Sequence, residues 1–182
     1  MKFIHLSICL LILVSLNSCR KVNSPSTKQN KLEKSILENY PEMSIPYTDS
    51  TSFENFDFRK KSLTKAEVEN LKLISVFSNL NYSKEAKLFV KHRITLSDKF
   101  NSVVAICVSE NEIYTALINY NNKLEPINYK EIAYDEIAES CQRKISEISK
   151  KKLEISESDF CNGLVTKENF EIENNGKIRA SR

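Results

Sequence analysis

From Lys87 onward the chain is a succession of short runs rich in Val, Ile, Thr, Tyr and Phe, each closed by polar turn residues. Their alternation predicts strands over Lys87–Leu96, Ser102–Ser109, Glu112–Asn121, Leu124–Asp135, Ile137–Ile148, Lys152–Phe160, Leu164–Ile172 and Lys177–Ala180. Glu110-Asn111 makes a two-residue hairpin loop. Asn121-Asn122-Lys123 and Asn174-Asn175-Gly176 are expected to supply residues with positive φ. Runs this close together must pair antiparallel, because a parallel return needs a crossover of about a dozen residues or more. Val103, Val104, Ala105, Ile106 and Val108 are apolar on both faces, as are Ile113, Tyr114, Leu117 and Ile118, which makes those two strands central and covered twice. The runs from Ile137 to Phe160 are heavily charged and suit a sheet with one wet face.

The front of the chain reads differently. Leu32, Ile36 and Leu37 would share one face of a short helix that stops before Pro41. Pro41 and Pro46 then impose an extended or irregular passage through Thr48–Ser52. Thr64-Lys65-Ala66-Glu67 is a capping box that opens a helix over Lys65 to about Leu73, with Val68, Leu71 and, at the margin of that face, Ala66 inward. Leu73–Tyr82 is open between helix and strand. The helices and the Phe53–Phe58 segment are available to cover the central strands. The expected fold is α+β and mainly β, an antiparallel meander of about six to eight strands with one or two short N-terminal helices. It forms a single domain over 32–182, helical or irregular over 32–84 and β-meander over 85–182.

Ahead of that domain, one cation (Lys2) is followed by an apolar run from Ile8 to Val14 and a polar stretch ending at Cys19. The run is short for a bilayer span and fits a secretory signal over 1–18. Leu16-Asn17-Ser18-Cys19 resembles the lipobox of bacterial lipoproteins, with Asn17 where a small residue is usual. The resemblance implies cleavage before Cys19 and acylation of Cys19, so that diacylglycerol and N-acyl (palmitate-type) chains hold the protein on a membrane; two or more chains anchor stably. Arg20 in place of Asp, with no acidic cluster after it, points within that resemblance to the periplasmic face of the outer membrane. Residues 20–31 are polar and free of aromatics, a lipidated flexible tether (19–31) with a reach of about 20 Å. Its cations either touch anionic lipid or serve as a soluble spacer. Residues 63–180 also resemble a loose group of small uncharacterised β-meander lipoproteins of Bacteroidota. That likeness is carried by the Tyr134–Glu139 run, the hairpin through Lys150-Lys151-Lys152 and the closing Glu173–Ile178. It implies no activity.

Composition narrows the chemistry. With 27 Lys+Arg against 24 Asp+Glu the charge is +3, which implies no nucleic-acid partner, and two glycines cannot build a phosphate-cradling loop. Of five cysteines, Cys9 falls in the signal and Cys19 is the lipidation site. Cys107 sits in an apolar strand as a small hydrophobe, while Cys141 and Cys161 lie on consecutive strands about Lys150–Lys152. A cross-strand disulfide between Cys141 and Cys161 is open to them in an oxidising compartment; two unpaired thiols are the alternative. His92 is the one imidazole after Cys19, expected on a face with Val90, Ile94 and Leu96 as a core or rim residue. Glu171 and Glu173 share a strand face about 7 Å apart, the spacing of a solvated surface as much as of a carboxylate pair. The sequence therefore names no catalytic, cofactor-binding or metal residue and no cofactor. The expected role is a lipid-anchored, non-catalytic cell-envelope interaction or structural module, with membrane lipid as one partner and an envelope protein as another. An immunity-type inhibitor that binds a toxin at the membrane is the alternative, and an enzyme is disfavoured.

Overall fold

Ten strands join in one sheet in the computed structural model, which describes residues 36–80, 86–137 and 141–181. The lipobox-like segment, Cys19, the tether and the start of the helix expected over 32–40 lie outside the described residues. β1 (Glu42–Met43) and β2 (Tyr47–Asp49) precede α1 (Lys65–Asn70) and α2 (Leu73–Asn79). The remaining strands follow in order: β3 (Lys87–Ile94), β4 (Asn101–Val108), β5 (Glu112–Tyr120), β6 (Pro126–Glu136), β7 (Gln142–Ile148), β8 (Lys152–Asp159), β9 (Leu164–Ile172) and β10 (Ile178–Ala180). Each strand from β3 onward overlies one predicted run, and consecutive members pair antiparallel. The fold is α+β and mainly β. Two additions make the sheet mixed and larger than the predicted meander. β1 runs parallel to β3, and β2 pairs antiparallel with the end of β7. Both lie in the proline-flanked passage, where strands of two and three residues leave no alternation to read.

The helices form where the capping chemistry places them. Glu67 N–H donates to Thr64 Oγ1 at 3.3 Å, and Thr64 N–H donates to the Glu67 carboxylate at 2.7 Å. Lys72 adopts φ 51°, which breaks the helical path after α1 and starts α2 in a new direction. The ambiguous Leu73–Tyr82 stretch resolves as helix over Leu73–Asn79, burying Leu73, Val76 and Phe77. Their target is one face of the β3–β6 layer, where Val103, Ala105, Cys107, Ala116, Ile118 and Tyr120 lie. The Tyr120 hydroxyl donates to the Leu71 carbonyl at 2.7 Å and fixes the helix pair to the sheet.

The opposite face of the same layer is covered by the sheet's own second half. Val104, Leu117, Ile94 and Ile132 pack against Ile148, Leu153, Ile155, Phe170 and Ile172 from β7 to β9. Phe53 and Phe56 close the far end of that face over Phe89, Ile106, Val108 and Ile113. The curl that folds the sheet onto itself follows from bulges, which bend and twist a strand. β6 carries extra residues between its partners of Thr115 and Ala116 and between those of Asn119 and Tyr120, and β3 carries one at Lys91. Buried Asn119 accepts from Ser102 Oγ at 2.7 Å and donates to the Gly176 carbonyl at 2.8 Å, which pins the β9–β10 turn beneath β5.

The turn chemistry departs from expectation at one loop: in the β5–β6 connection it is Leu124, at φ 53°, that takes the positive φ, and neither asparagine does. In the β9–β10 turn Gly176 takes it as expected, at φ 86°. A Cβ there would lie 3.1 Å from Ile127 Cδ1 and 3.2–3.3 Å from the Phe100 ring. Gly176→Ala should therefore cost about 1–3 kcal/mol through strain and crowding, read as a lowered urea midpoint. An unchanged midpoint would show that the turn is not held as described.

Candidate functional site

The bulge in β3 decides what lies at the centre of the molecule. Val90 pairs with Ala105 and packs on the helix side, whereas His92 pairs with Val104 on the opposite face. Val90 therefore does not share a face with His92, Ile94 and Leu96, because the extra residue shifts the alternation by one. The residue so displaced is Lys91. Its ammonium reaches Asp49 Oδ2 at 3.1 Å and Thr51 Oγ1 at 2.8 Å. Asp49 is fully buried and accepts three further bonds, from the Tyr47 hydroxyl at 2.6 Å, Thr51 Oγ1 at 2.6 Å and Thr51 N–H at 3.0 Å. The Tyr47 ring meets the His92 imidazole edge-on at 4.5 Å.

The electrostatics follow from that enclosure. Burial pushes the Asp49 carboxyl up, but the Lys91 ammonium and the bonds from Thr51 and Tyr47 outweigh it, so Asp49 lies below the usual carboxylate range. Burial, then the adjacent carboxylate, pushes the Tyr47 hydroxyl well above its ordinary value. Burial and the Lys91 cation lower His92 to about 4, so the imidazole is neutral at physiological pH, and its Nε2 meets no hydrogen-bond partner among the described residues. The arrangement is an ionised Asp–Lys pair with a neutral, buried imidazole packed against the Tyr47 ring beside it. Enclosure under β2 makes the group a lock between β2 and β3, with removal of either charge leaving the other stranded. Cys107 is buried and free, with its thiol raised to about 12 by burial, which keeps it protonated and unreactive. Glu173 is ion-paired to Arg179 at 2.7 Å, and Glu171 lies across from Lys152 and Arg179. These two carboxylates sit on a solvated face. Among the described residues no group of His, Cys, Asp and Glu is arranged to hold a metal ion, and no helix is long and apolar enough to cross a membrane.

The exposed chemistry gathers elsewhere, at the end where β7 starts and β8 turns into β9. Cys141 and Cys161 form a disulfide there, with Cα atoms 5.2 Å apart. Phe160 N–H donates to the Cys141 carbonyl at 2.7 Å beside it. Glu136 holds the entrance to β7: its carboxylate accepts from Cys141 N–H at 3.3 Å and Gln142 N–H at 3.2 Å, and also from the Tyr134 hydroxyl at 2.7 Å. On this braced arm Phe160, Leu164 and Val165 are 63%, 61% and 65% exposed, with exposed Ile145 and Ile137 close by in the strand order. Every residue from Cys161 to Asn169 is exposed. These side chains are exposed apolar area at one end of the sheet. Sequence reading missed both features. The Asp49 network depends on a bulge, and the exposure of Leu164 and Val165 depends on how far β10 extends.

Two outcomes test these assignments. Because His92 titrates lower in the folded chain than in the unfolded one, the unfolded state binds the extra proton between pH 6.5 and about 4. Stability should fall by up to about 3 kcal/mol as pH drops through that window, and His92→Gln should flatten the fall while leaving partner binding unchanged. Urea midpoints at stepped pH check this, and a pH-independent wild type would refute it. Replacing Cys141 and Cys161 together by Ser opens a loop of separation 20 and should cost about 3 kcal/mol, seen equally on adding reductant to wild type. Equal midpoints with and without the bond would remove the arm's brace. No protein-family model, curated protein or solved structure matches this chain.

Proposed function

We propose that this chain is a lipid-anchored, non-catalytic cell-envelope protein that works as an interaction module. The observation that carries the reading is the disulfide-braced arm of β7 to β9, where Phe160, Leu164 and Val165 are the most exposed large apolar side chains among the described residues. A disulfide suits an oxidising compartment outside the cytosol, in keeping with the lipobox-like Leu16-Asn17-Ser18-Cys19 and the short apolar run before it. The one imidazole after Cys19 serves packing beside the Asp49–Lys91 pair, which leaves it poorly placed as a base. Acylation of Cys19 and the polar stretch to Lys31 would let the domain hang from lipid with slack to meet a partner protein.

Intact-mass analysis of the membrane fraction should find a chain that begins at Cys19 and carries added acyl mass, and Cys19→Ala should abolish both cleavage and acylation. A photo-crosslinking residue at position 165 should trap protein in intact cells at least tenfold more efficiently than one at exposed Lys61. Unmodified chain in the soluble fraction would defeat the anchor, and equal trapping at 61 and 165 would defeat the arm as the docking surface.

A further inference from the structure

We infer that the free edge of β9 pairs with the same edge of a second copy of this chain, two-fold about Val165. The inference rests on the docking role proposed for the arm and names its occupant. β9 pairs with β8 along its whole length, from Asp159↔Leu164 to Lys152↔Glu171. On its other side β10 covers only Phe170 to Ile172. The backbone directions along the edge are known. Ile172 N–H donates inward to the Lys151 carbonyl, while Ser181 N–H reaches the outward Asn169 carbonyl at 2.7 Å. Alternation then turns the N–H and C=O groups of Val165 and Lys167 outward, with no strand against them among the described residues. Folded proteins guard such an edge with lysine, proline or a bulge. This one opens with Leu164, Val165 and Thr166, and the first charge, Lys167, is engaged by Glu154 of its own chain at 3.3 Å.

Two copies of one edge related by a two-fold axis pair antiparallel, and hydrogen bonding allows the axis only where outward groups oppose each other. An axis at Lys167 sets two ammonium groups face to face. Axes at Thr166 or Lys167 also run the second copy's strand or hairpin turn into Asn169, where Ser181 already sits. An axis at Val165 fits the gap: Gly163 lies across from Lys167, Leu164 from Thr166, and Val165 from Val165. The register places Val165 in a cross-strand row with Ser158 and Arg143, and Lys167 in the next with Ser156 and Ile145. The joint therefore extends the outer face that carries Ile145. The interface is short, so it suits chains held on one membrane, where anchoring raises their effective concentration.

Single cysteines in the full chain read the register. Directly opposed residues in a hydrogen-bonded antiparallel pair have Cα atoms about 5.5 Å apart, within disulfide reach. Under mild oxidation Val165→Cys should form a covalent dimer. Leu164→Cys and Thr166→Cys should each stay monomeric alone and cross-link when mixed, with the Cys141–Cys161 bond verified intact by peptide mapping. Val165→Pro removes an outward N–H that no strand among the described residues uses, so its urea midpoint should hold while membrane cross-linking between Leu164→Cys and Thr166→Cys chains falls at least tenfold. A Val165→Cys yield on membranes no higher than that of Lys61→Cys would overturn self-pairing. Were that result to come with efficient photo-trapping of a different protein at 165, self-pairing would fall while the docking role stood. Loss of both would remove the arm as a docking surface.

Discussion

Every residue from Ser102 to Val108 and from Ile113 to Tyr120 is buried, so β4 and β5 must be covered on both faces. That constraint organises the rest. A small domain has one chain with which to make two covers, and here the front of the chain makes the first and the back makes the second. α1 and α2 lie on the side of Ala105 and Cys107; β2, β7, β8 and β9 lie on the side of Val104 and Leu117. For the second cover the sheet must turn back over itself within a few strands. The bulges in β6 supply the bend, and their extra residues include Ile132 and Ile127, both packed into the enclosed layer.

The ion pair on that second face has a different purpose from the apolar packing around it. A buried carboxylate–ammonium pair adds little net stability over apolar residues of similar volume, because desolvation offsets the attraction. It discriminates, however, between placements. β2 contributes only three residues to its ladder with β7, too few for alternation to fix register. Any slip of Tyr47–Asp49 would carry the Asp49 carboxylate away from Lys91, the partner that another strand supplies, while Tyr47 and Thr51 move with it. The costly group thus selects one position for a strand that hydrophobic pattern cannot place. The disulfide and Glu136 do the equivalent at the start of β7, which meets β6 at only two residue pairs.

How much of this could be read beforehand divides along the same line. Strands from β3 to β10 were legible because Val, Ile and Tyr alternate with polar residues between strong turn signals, and the doubly apolar strands announced two covers. Thr64 and Glu67 announced α1. What stayed hidden depended on single-residue insertions. Counting by twos along Lys87–Leu96 puts Val90 and His92 together, and one bulge at Lys91 separates them. The same step brings Lys91 to Asp49, from a segment whose prolines mask its role as a strand. Tyr129 and Tyr134 both pack on the helix face although they stand five positions apart, an odd spacing that a bulge permits. The positive φ at Leu124 has no compositional signal, since asparagine is the residue such turns favour.

An open edge on a ten-stranded sheet carries a hazard, since strands can be added to it without limit. The geometry here confines it. At one end the turn through Gly163 and the Cys141–Cys161 bond bound the edge, and at the other Ser181 closes it at Asn169. Only a strand of a few residues fits between. The opposite border of the sheet is partly covered by described residues. β3 is flanked by β1 at Arg93 and Ile94, by the Pro41 carbonyl at Arg93 N–H, and by Leu63 N–H at the Leu88 carbonyl. An edge-to-edge pair formed at β9 would therefore occupy the uncovered stretch of β9 on both chains. Two-fold pairing of this kind closes, where a head-to-tail contact would propagate. The apolar arm can accordingly be both exposed and safe, because the fold limits its length and symmetry limits its growth.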